Sequence, residues 1–242
     1  MTDPFSYHPE LLHLVKPYAE SFFRTITTEK IKAQILSSGQ ELTIDFHDDR
    51  TRERIRAEAL AGHRGDLYVF AYGSLMWDPA LDFCEVRRAF APKHQRRFML
   101  VDNRGGRGTR DAPGVMAALD SGTGCDGLAF KINAEKVDTE TEILFRREAI
   151  APGYLARFVP VVIDGETVPA LTFLADHAQD HMQPNITRAE QIRFAATGQG
   201  ILGTSLEYLQ NTVEQLGRLG ISDDDASDLL RAALIYEVQM PS

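Results

Sequence analysis

The spacing of apolar positions changes near residue 65. Upstream, Leu11, Leu14, Val15, Tyr18 and Phe22 recur at helical intervals and predict a helix over Glu10–Arg24. Thr27-Thr28-Glu29-Lys30 introduces a second helix, over Thr27–Ser37. A short strand is expected at Thr43–Phe46, then a charged helix over Arg50–Leu60 that Gly62 ends. This stretch has few residues for a core of its own. Residues 1–65 therefore read as a mainly helical appendage packed on the main domain and available for an oligomer contact. From Asp66 onward the runs shorten and become rich in β-formers: Leu67–Ala71, Val86–Ala91, Arg97–Val101, Val115–Leu119 and Gly127–Ile132. A helix over Ala134–Arg147 follows. Tyr154–Ile163 and Thr167–Leu174 then form a hairpin turning at Asp164-Gly165. Helices over Thr187–Ala196, Thr204–Leu219 and Asp223–Gln239, the last capped by Ser222, complete residues 66–242. Strands first and helices last predict an α+β domain, without the regular alternation of a parallel sheet.

Composition narrows the functional classes. The chain of 242 residues carries a net charge of −9 and no long basic run, which argues against nucleic acid as a partner. Its densest basic patch, Arg104, Arg107 and Arg110, lies among glycines and suits a small anionic ligand. Cys84 and Cys125 are too few for a disulfide framework and have no zinc spacing. Met1 to Pro17 lacks the basic and apolar order of a signal peptide, and no apolar run approaches the roughly 20 residues that span a bilayer. A soluble, cytoplasmic protein without a membrane partner is expected.

Candidate chemistry begins where the run Leu67–Ala71 stops at Tyr72-Gly73-Ser74-Leu75. A glycine free to take φ > 0 lets successive backbone N–H groups converge on a carboxylate or phosphate. Several other patterns are decoys. Gly122-Thr-Gly124-Cys-Asp-Gly127 matches a dinucleotide fingerprint by letters, but a strand follows it and a hairpin turn is the better reading. Gly198-Gln-Gly200-Ile-Leu-Gly203 reads as a linker between helices. His177 and His181 have zinc-like spacing, yet Ala178 stands where the glutamate is needed, and a solvent-facing loop is the better reading. Neither Ser74 nor Ser205 lies in a nucleophile elbow. Glu148 sits between a helix and a strand, where partial desolvation raises a carboxyl towards general-base values. The competing reading is a surface glutamate paired with Arg146 or Arg147. Tyr154 and Tyr208 are either pocket or core residues.

Taken in order, YGSLMW at Tyr72–Trp77, EVRRAF at Glu85–Phe90 and the RRFML that follows resemble motifs of the ChaC family, the glutathione-specific γ-glutamylcyclotransferases. RGT…PGVMAALD at Arg107–Asp120, CDGLAFKI at Cys125–Ile132, REAIAPGY at Arg147–Tyr154 and LEYL at Leu206–Leu209 extend the resemblance. It implies a γ-glutamylcyclotransferase-like mixed β-barrel or sheet surrounded by helices. It also implies that Tyr72, Gly73, Ser74 and Leu75 hold the γ-glutamyl group, that Glu148 is catalytic and that Tyr154 and Tyr208 line the site. Departures occur at Ala151-Pro152-Gly153, where the family usually has Leu-Gly-Gly, and in the loop Gly106–Arg110, which lacks the common His and Pro-Glu. Thr204-Ser205 also stands where the family often has an Asn.

The implied reaction is an intramolecular attack by the γ-glutamyl α-amino group on its own γ-carbonyl, giving 5-oxoproline and, from glutathione, cysteinylglycine. Glu148 takes the proton, and no metal, cofactor or covalent nucleophile is required. Two alternatives stay open: a cyclotransferase for other γ-glutamyl amines or amino acids, and a non-catalytic binder of acidic small molecules.

Overall fold

The computed structural model describes residues 3–37, 39 and 44–239. In chain order, its regular elements are α1 (Thr28–Ser37), α2 (Asp49–Ala59), β1 (Leu67–Ala71), β2 (Glu85–Ala91), β3 (His94–Asp102), β4 (Gly114–Ser121), β5 (Cys125–Ile132), α3 (Val137–Glu148), β6 (Tyr154–Ile163), β7 (Glu166–Ala175), α4 (Arg188–Thr197), α5 (Ser205–Arg218) and α6 (Asp224–Gln239). They group into two compact units. The first comprises Met1–Thr27, Asp45–Arg96 and Leu119–Ala175, and the second Thr28–Ile44, Arg97–Ala118 and Asp176–Ser242. Residues 1–65 thus divide between both units.

The first unit is a closed barrel of mixed strands. β1 pairs antiparallel with β5, and β5 antiparallel with β2. β2 meets β6 at Phe90↔Val162, and β6 runs antiparallel to β7 from Tyr154↔Ala175 to Ile163↔Glu166. β7 returns to β1 in parallel through Tyr68↔Ala170 and Val69↔Leu171, which closes the ring. β4 pairs in parallel with β7 at Leu119↔Leu174, beyond the stretch that β1 occupies. Closure removes the open edges of β1, the strand that carries the candidate loop. Phe70, Tyr72, Leu119, Val161 and Ala170 fill one buried cluster. The β6–β7 turn at Asp164-Gly165 has φ of 48° and 85°, the left-handed pair expected of that dipeptide.

Two sequence expectations fail at turns. Gly122–Gly127 is not a hairpin, because β4 and β5 have no ladder in common. Its last glycine is required for another reason: a Cβ at Gly127 would stand 2.2 Å from the Ala71 carbonyl oxygen, at the end of β1. The amino-terminal helix over Glu10–Arg24 is also absent. Three short 3₁₀ turns replace it, at Pro9–His13, Tyr18–Glu20 and Phe22–Thr25. Pro17 has no N–H for a helical ladder and disfavours the α conformation in the residue before it, so helical spacing of apolar residues is overruled.

The segment instead straps the barrel unit. The Val86 N–H donates to the Pro4 carbonyl (3.1 Å), and the Lys16 N–H to the Trp77 carbonyl (2.8 Å). Arg24 grips the buried Glu140 of α3 with both terminal nitrogens. The expected strand at Thr43–Phe46 begins outside the described residues, and residues 44–46 form none.

α2 is capped by Asp48, whose side chain accepts the Thr51 N–H at 2.7 Å. It packs on α3, where Arg56 donates to Asp138 (2.8 Å) and Thr141 (3.0 Å). α3 buries Ile143, Leu144 and Phe145, and the Phe145 ring meets Phe173 of β7 edge-on at 5.3 Å.

In the second unit, α4, α5 and α6 bury Phe194, Leu206, Leu209 and Leu229 together with Phe98 and Val115. Thr187 and Thr204 each begin a capping box, with Glu190 and Glu207 respectively. For α6 the cap is Asp223, which accepts the Ala226 N–H (3.0 Å), and not Ser222. The Gly198–Gly203 linker forms a two-residue ladder between Gln199–Gly200 and Gly203–Thr204. It docks on the arginine loop, with the Ile201 N–H donating to the Gly105 carbonyl (2.8 Å).

Candidate active site

β1 ends at Ala71, and the next residue turns inward. Tyr72 is buried, and its hydroxyl donates to the Phe173 carbonyl at 3.0 Å. Its own carbonyl accepts from the Arg96 guanidinium. Gly73 has φ −135°, so the left-handed conformation expected there is not used. A Cβ at Gly73 meets no protein atom within 4 Å, so the glycine leaves the backbone bare on an open side. Ser74–Met76 then makes one 3₁₀ turn, with the Met76 N–H bonded to the Gly73 carbonyl (2.8 Å) and the Asp78 N–H to that of Ser74 (2.9 Å). The leading N–H groups of such a turn have no acceptor within it and can serve an anion. Leu75 points into the core.

Glu148 is the last residue of α3. Its side chain retains 16 % of its accessibility and forms an ion pair with Arg147 Nε at 2.9 Å. Burial pushes its pKa above the ordinary glutamate value, while Arg147 pulls it back down. A carboxylate at a helix C-terminus is further opposed by the helix dipole. The chain beyond it is held by α2's neighbour His47, whose N–H donates to the Ile150 carbonyl at 3.0 Å and whose Nδ1 lies 3.1 Å from the Ala149 carbonyl. Both readings of Glu148 thus hold in part: it is paired with Arg147, but it is not a surface residue.

Arg147 joins the loop to the carboxylate. Nη2 donates to Ser74 Oγ (2.8 Å) and Nη1 to the Asp78 carbonyl, while Nε lies in ion-pair contact with Glu148 (2.9 Å). A planar guanidinium offers donors in fixed directions, so two acceptors of the loop segment are held beside the carboxylate that the same cation attracts. Sequence reasoning missed this role. The available signal was the Arg146-Arg147 doublet in the last turn before Glu148.

Tyr154 lies in the same unit, half-buried as the first residue of β6 and opposite Ala175. Tyr208 belongs to the second unit, on α5. There its hydroxyl oxygen accepts the Ala117 N–H at 3.3 Å, and the Arg107 guanidinium lies 5.2 Å from its ring centre. Burial lowers the pKa of Arg107, which also donates to the Thr204 carbonyl at 3.2 Å. Asp102 folds the arginine loop by accepting the Arg104 (2.9 Å) and Arg107 N–H groups. Burial raises its pKa against those hydrogen bonds. His177 and His181 lie in a turn, where the Nδ1 of His181 meets Arg104.

The ChaC-like protein family matches residues 67–237. The chain belongs to the ChaC family. Tyr72–Leu75, Glu148, Tyr154 and Tyr208 all fall inside the ChaC match, and the amino-terminal strap falls outside it. The chain is similar to a glutathione-specific γ-glutamylcyclotransferase of Escherichia coli K12, with 37 % identity over 69 % of this chain and 72 % of that protein. It is also similar to glutathione-specific γ-glutamylcyclotransferase 1 of Danio rerio, with 28 % identity over 76 % of this chain and 97 % of the relative. Among solved structures, a yeast γ-glutamyl cyclotransferase specific to glutathione superposes with a TM-score of 0.67. It has 18 % identity, over 74 % of this chain and 100 % of the yeast chain, and it shows the same fold. Among the described residues, no helix is long and apolar enough to cross a membrane.

Proposed function

We propose that this ChaC protein is a γ-glutamylcyclotransferase that converts glutathione to 5-oxoproline and cysteinylglycine. The observation that carries the proposal is Glu148: a largely buried carboxylate with a raised pKa, tied through Arg147 to Ser74 of the loop that follows β1. The names of the bacterial and fish relatives support glutathione as the substrate.

In this reading, the α-amino nitrogen of the γ-glutamyl unit attacks its γ-carbonyl carbon. That C–N bond forms, the amide C–N bond to the cysteinyl residue breaks, and a five-membered lactam leaves. The amine is mostly protonated at neutral pH, so Glu148 first accepts a proton and then returns it to the departing nitrogen. Because nucleophile and electrophile share one molecule, the enzyme's task is to fold the chain into a reactive conformer. Backbone donors at Gly73–Leu75 are suited to the substrate carboxylate or to the oxygen that becomes negative during attack. The Tyr72 hydroxyl is committed to Phe173, so Tyr72 serves the loop by anchoring it. Tyr154 is assigned to a wall that orients the substrate, in keeping with its place in the ChaC motifs.

Incubating the pure protein with glutathione and a panel of γ-glutamyl amines and amino acids, while following 5-oxoproline, tests the proposal. Turnover of glutathione, and its loss in Glu148→Gln with ligand binding retained, is the expected result. Near-normal 5-oxoproline release by Glu148→Gln would overturn the assignment. Turnover only of other γ-glutamyl compounds would leave the reaction standing and remove glutathione.

A further inference from the structure

We infer that Phe23, on the amino-terminal strap, is a positioning residue of the reacting centre. Its ring covers one face of the Arg147 guanidinium and thereby steadies the fork that holds Glu148 and Ser74. This rests on the reading of Glu148 as the proton-transfer group, and it adds a part of the chain that lies upstream of the ChaC match at 67–237.

The geometry of Arg147 explains the need. Nη1 and Nη2 are directed at the Asp78 carbonyl and Ser74 along the edge of the guanidinium plane, and Nε stands 2.9 Å from the Glu148 carboxylate. Edge contacts fix direction within the plane, but resistance to tipping out of it comes from what lies against the faces. The centre of the Phe23 ring stands 3.9 Å from Cζ of Arg147. That is stacking distance for a cation on an aromatic face, an attraction that strengthens as water is removed. The Arg147 side chain retains only 6 % of its accessibility.

Phe23 is itself held in place. On one side, the Lys16 N–H donates to the Trp77 carbonyl at 2.8 Å, just beyond the Ser74 turn. On the other, Arg24 donates to the Ala80 carbonyl (3.0 Å) and to Glu140 of α3 (2.9 Å), and Arg146 of α3 donates to the Arg24 carbonyl (3.2 Å). The strap is therefore fastened both to the segment carrying Ser74 and to the helix carrying Glu148. Phe23 sits between those fastenings, whereas its neighbour Phe22 is 47 % exposed.

The test is steady-state kinetics with glutathione in the full-length protein, with thermal midpoints measured in parallel. Phe23→Leu keeps apolar bulk but loses the ring, and kcat should fall about threefold to tenfold. Phe23→Tyr keeps the ring face and should stay within about twofold of wild type. The decisive comparison places Phe23→Leu in an Arg147→Met background, where its effect should shrink to less than about twofold, because nothing charged remains to be steadied. Arg147→Lys serves as the second background if the methionine variant does not fold, and there the effect should be intermediate. An unchanged kcat in Phe23→Leu overturns the inference. So does a full additional loss in the Arg147 background, or a loss in Phe23→Tyr equal to that in Phe23→Leu. If Glu148→Gln keeps its turnover in the same assay, the underlying reading is what fails. If Glu148→Gln is inactive while Phe23→Leu is normal, the strap inference alone is lost.

Discussion

Replacing Arg147 with methionine removes the cation between loop and carboxylate while keeping most of the aliphatic volume. The cost has two parts. The hydrogen bonds to Ser74 and the Asp78 carbonyl come from a charged donor, and losing them costs about 3 kcal/mol together at about 1.5 kcal/mol each. The ion pair to Glu148 matters only while Glu148 is ionised, and breaking such a largely buried pair costs about 3–5 kcal/mol, here at the lower end because Glu148 keeps some access to water.

The folded-state pKa of Glu148 is already raised above 4.5, with Arg147 as the opposing influence. Removing Arg147 raises it further. Between the unfolded and folded values the native protein holds the extra proton, so native stability falls as pH rises through that window. Methionine widens the window upward. In denaturant unfolding from about pH 4 to about pH 8, the deficit should be smallest at the acid end, where Glu148 is protonated, and grow by about 3 kcal/mol as Glu148 ionises. The acidic limb of kcat/KM should move to higher pH in the same variant, since the base must be deprotonated to act. A deficit that is flat across this range, or an acidic limb that stays in place, would show that Arg147 and Glu148 do not share charge.

Three further outcomes follow from named contacts. Glu148→Gln should abolish turnover and flatten the decline in stability above 4.5 that the buried carboxyl imposes, while leaving the Arg147 cation without its charged partner; urea melts at several pH values measure this. Tyr72→Phe should cost about 1 kcal/mol of stability through the lost bond to Phe173, whereas Ser74→Ala should act mainly on KM for glutathione; equal effects of both on KM would contradict this division. Gly127→Ala should destabilise by about 1–3 kcal/mol and depress activity, because its methyl would displace the Ala71 carbonyl from which the site loop departs; a normal melting curve would refute that close approach.

The barrel strands were legible because each is a short apolar run bounded by Gly, Pro or Asp, and the span of β1 and β6 could be read to the residue. Their neighbours were not. β1 lies beside β5 and β7, partners chosen by long-range packing that no local pattern encodes, and for that reason Gly122–Gly127 was misread as a hairpin. Helical spacing from Leu11 to Phe22 misled in the opposite sense: Leu11 and Val15 are buried without a helix, while Tyr18 and Phe22 stay exposed. At the site, Glu148 stood out by its junction position, and its burial agrees with that reading. Arg147 did not stand out, because an arginine beside a glutamate looks like an ordinary surface pair until Ser74 and Asp78 are brought to it from about 70 residues away.

Barrel closure also sets an order of events during synthesis. β1 emerges from the ribosome early, but its parallel partner β7 extends to Ala175, about a hundred residues later. Until then, the Thr172 hydroxyl cannot reach the Phe70 carbonyl, and the Tyr72 hydroxyl cannot reach that of Phe173. Both bonds fix the end of β1 from which the loop departs. Joining segments so distant is a slow step with a large entropy cost, and it comes after the local β6–β7 hairpin has formed. A nascent chain stalled before β7 would therefore hold Glu148 and Ser74 without a fixed geometry between them, so that competence arrives late and all at once.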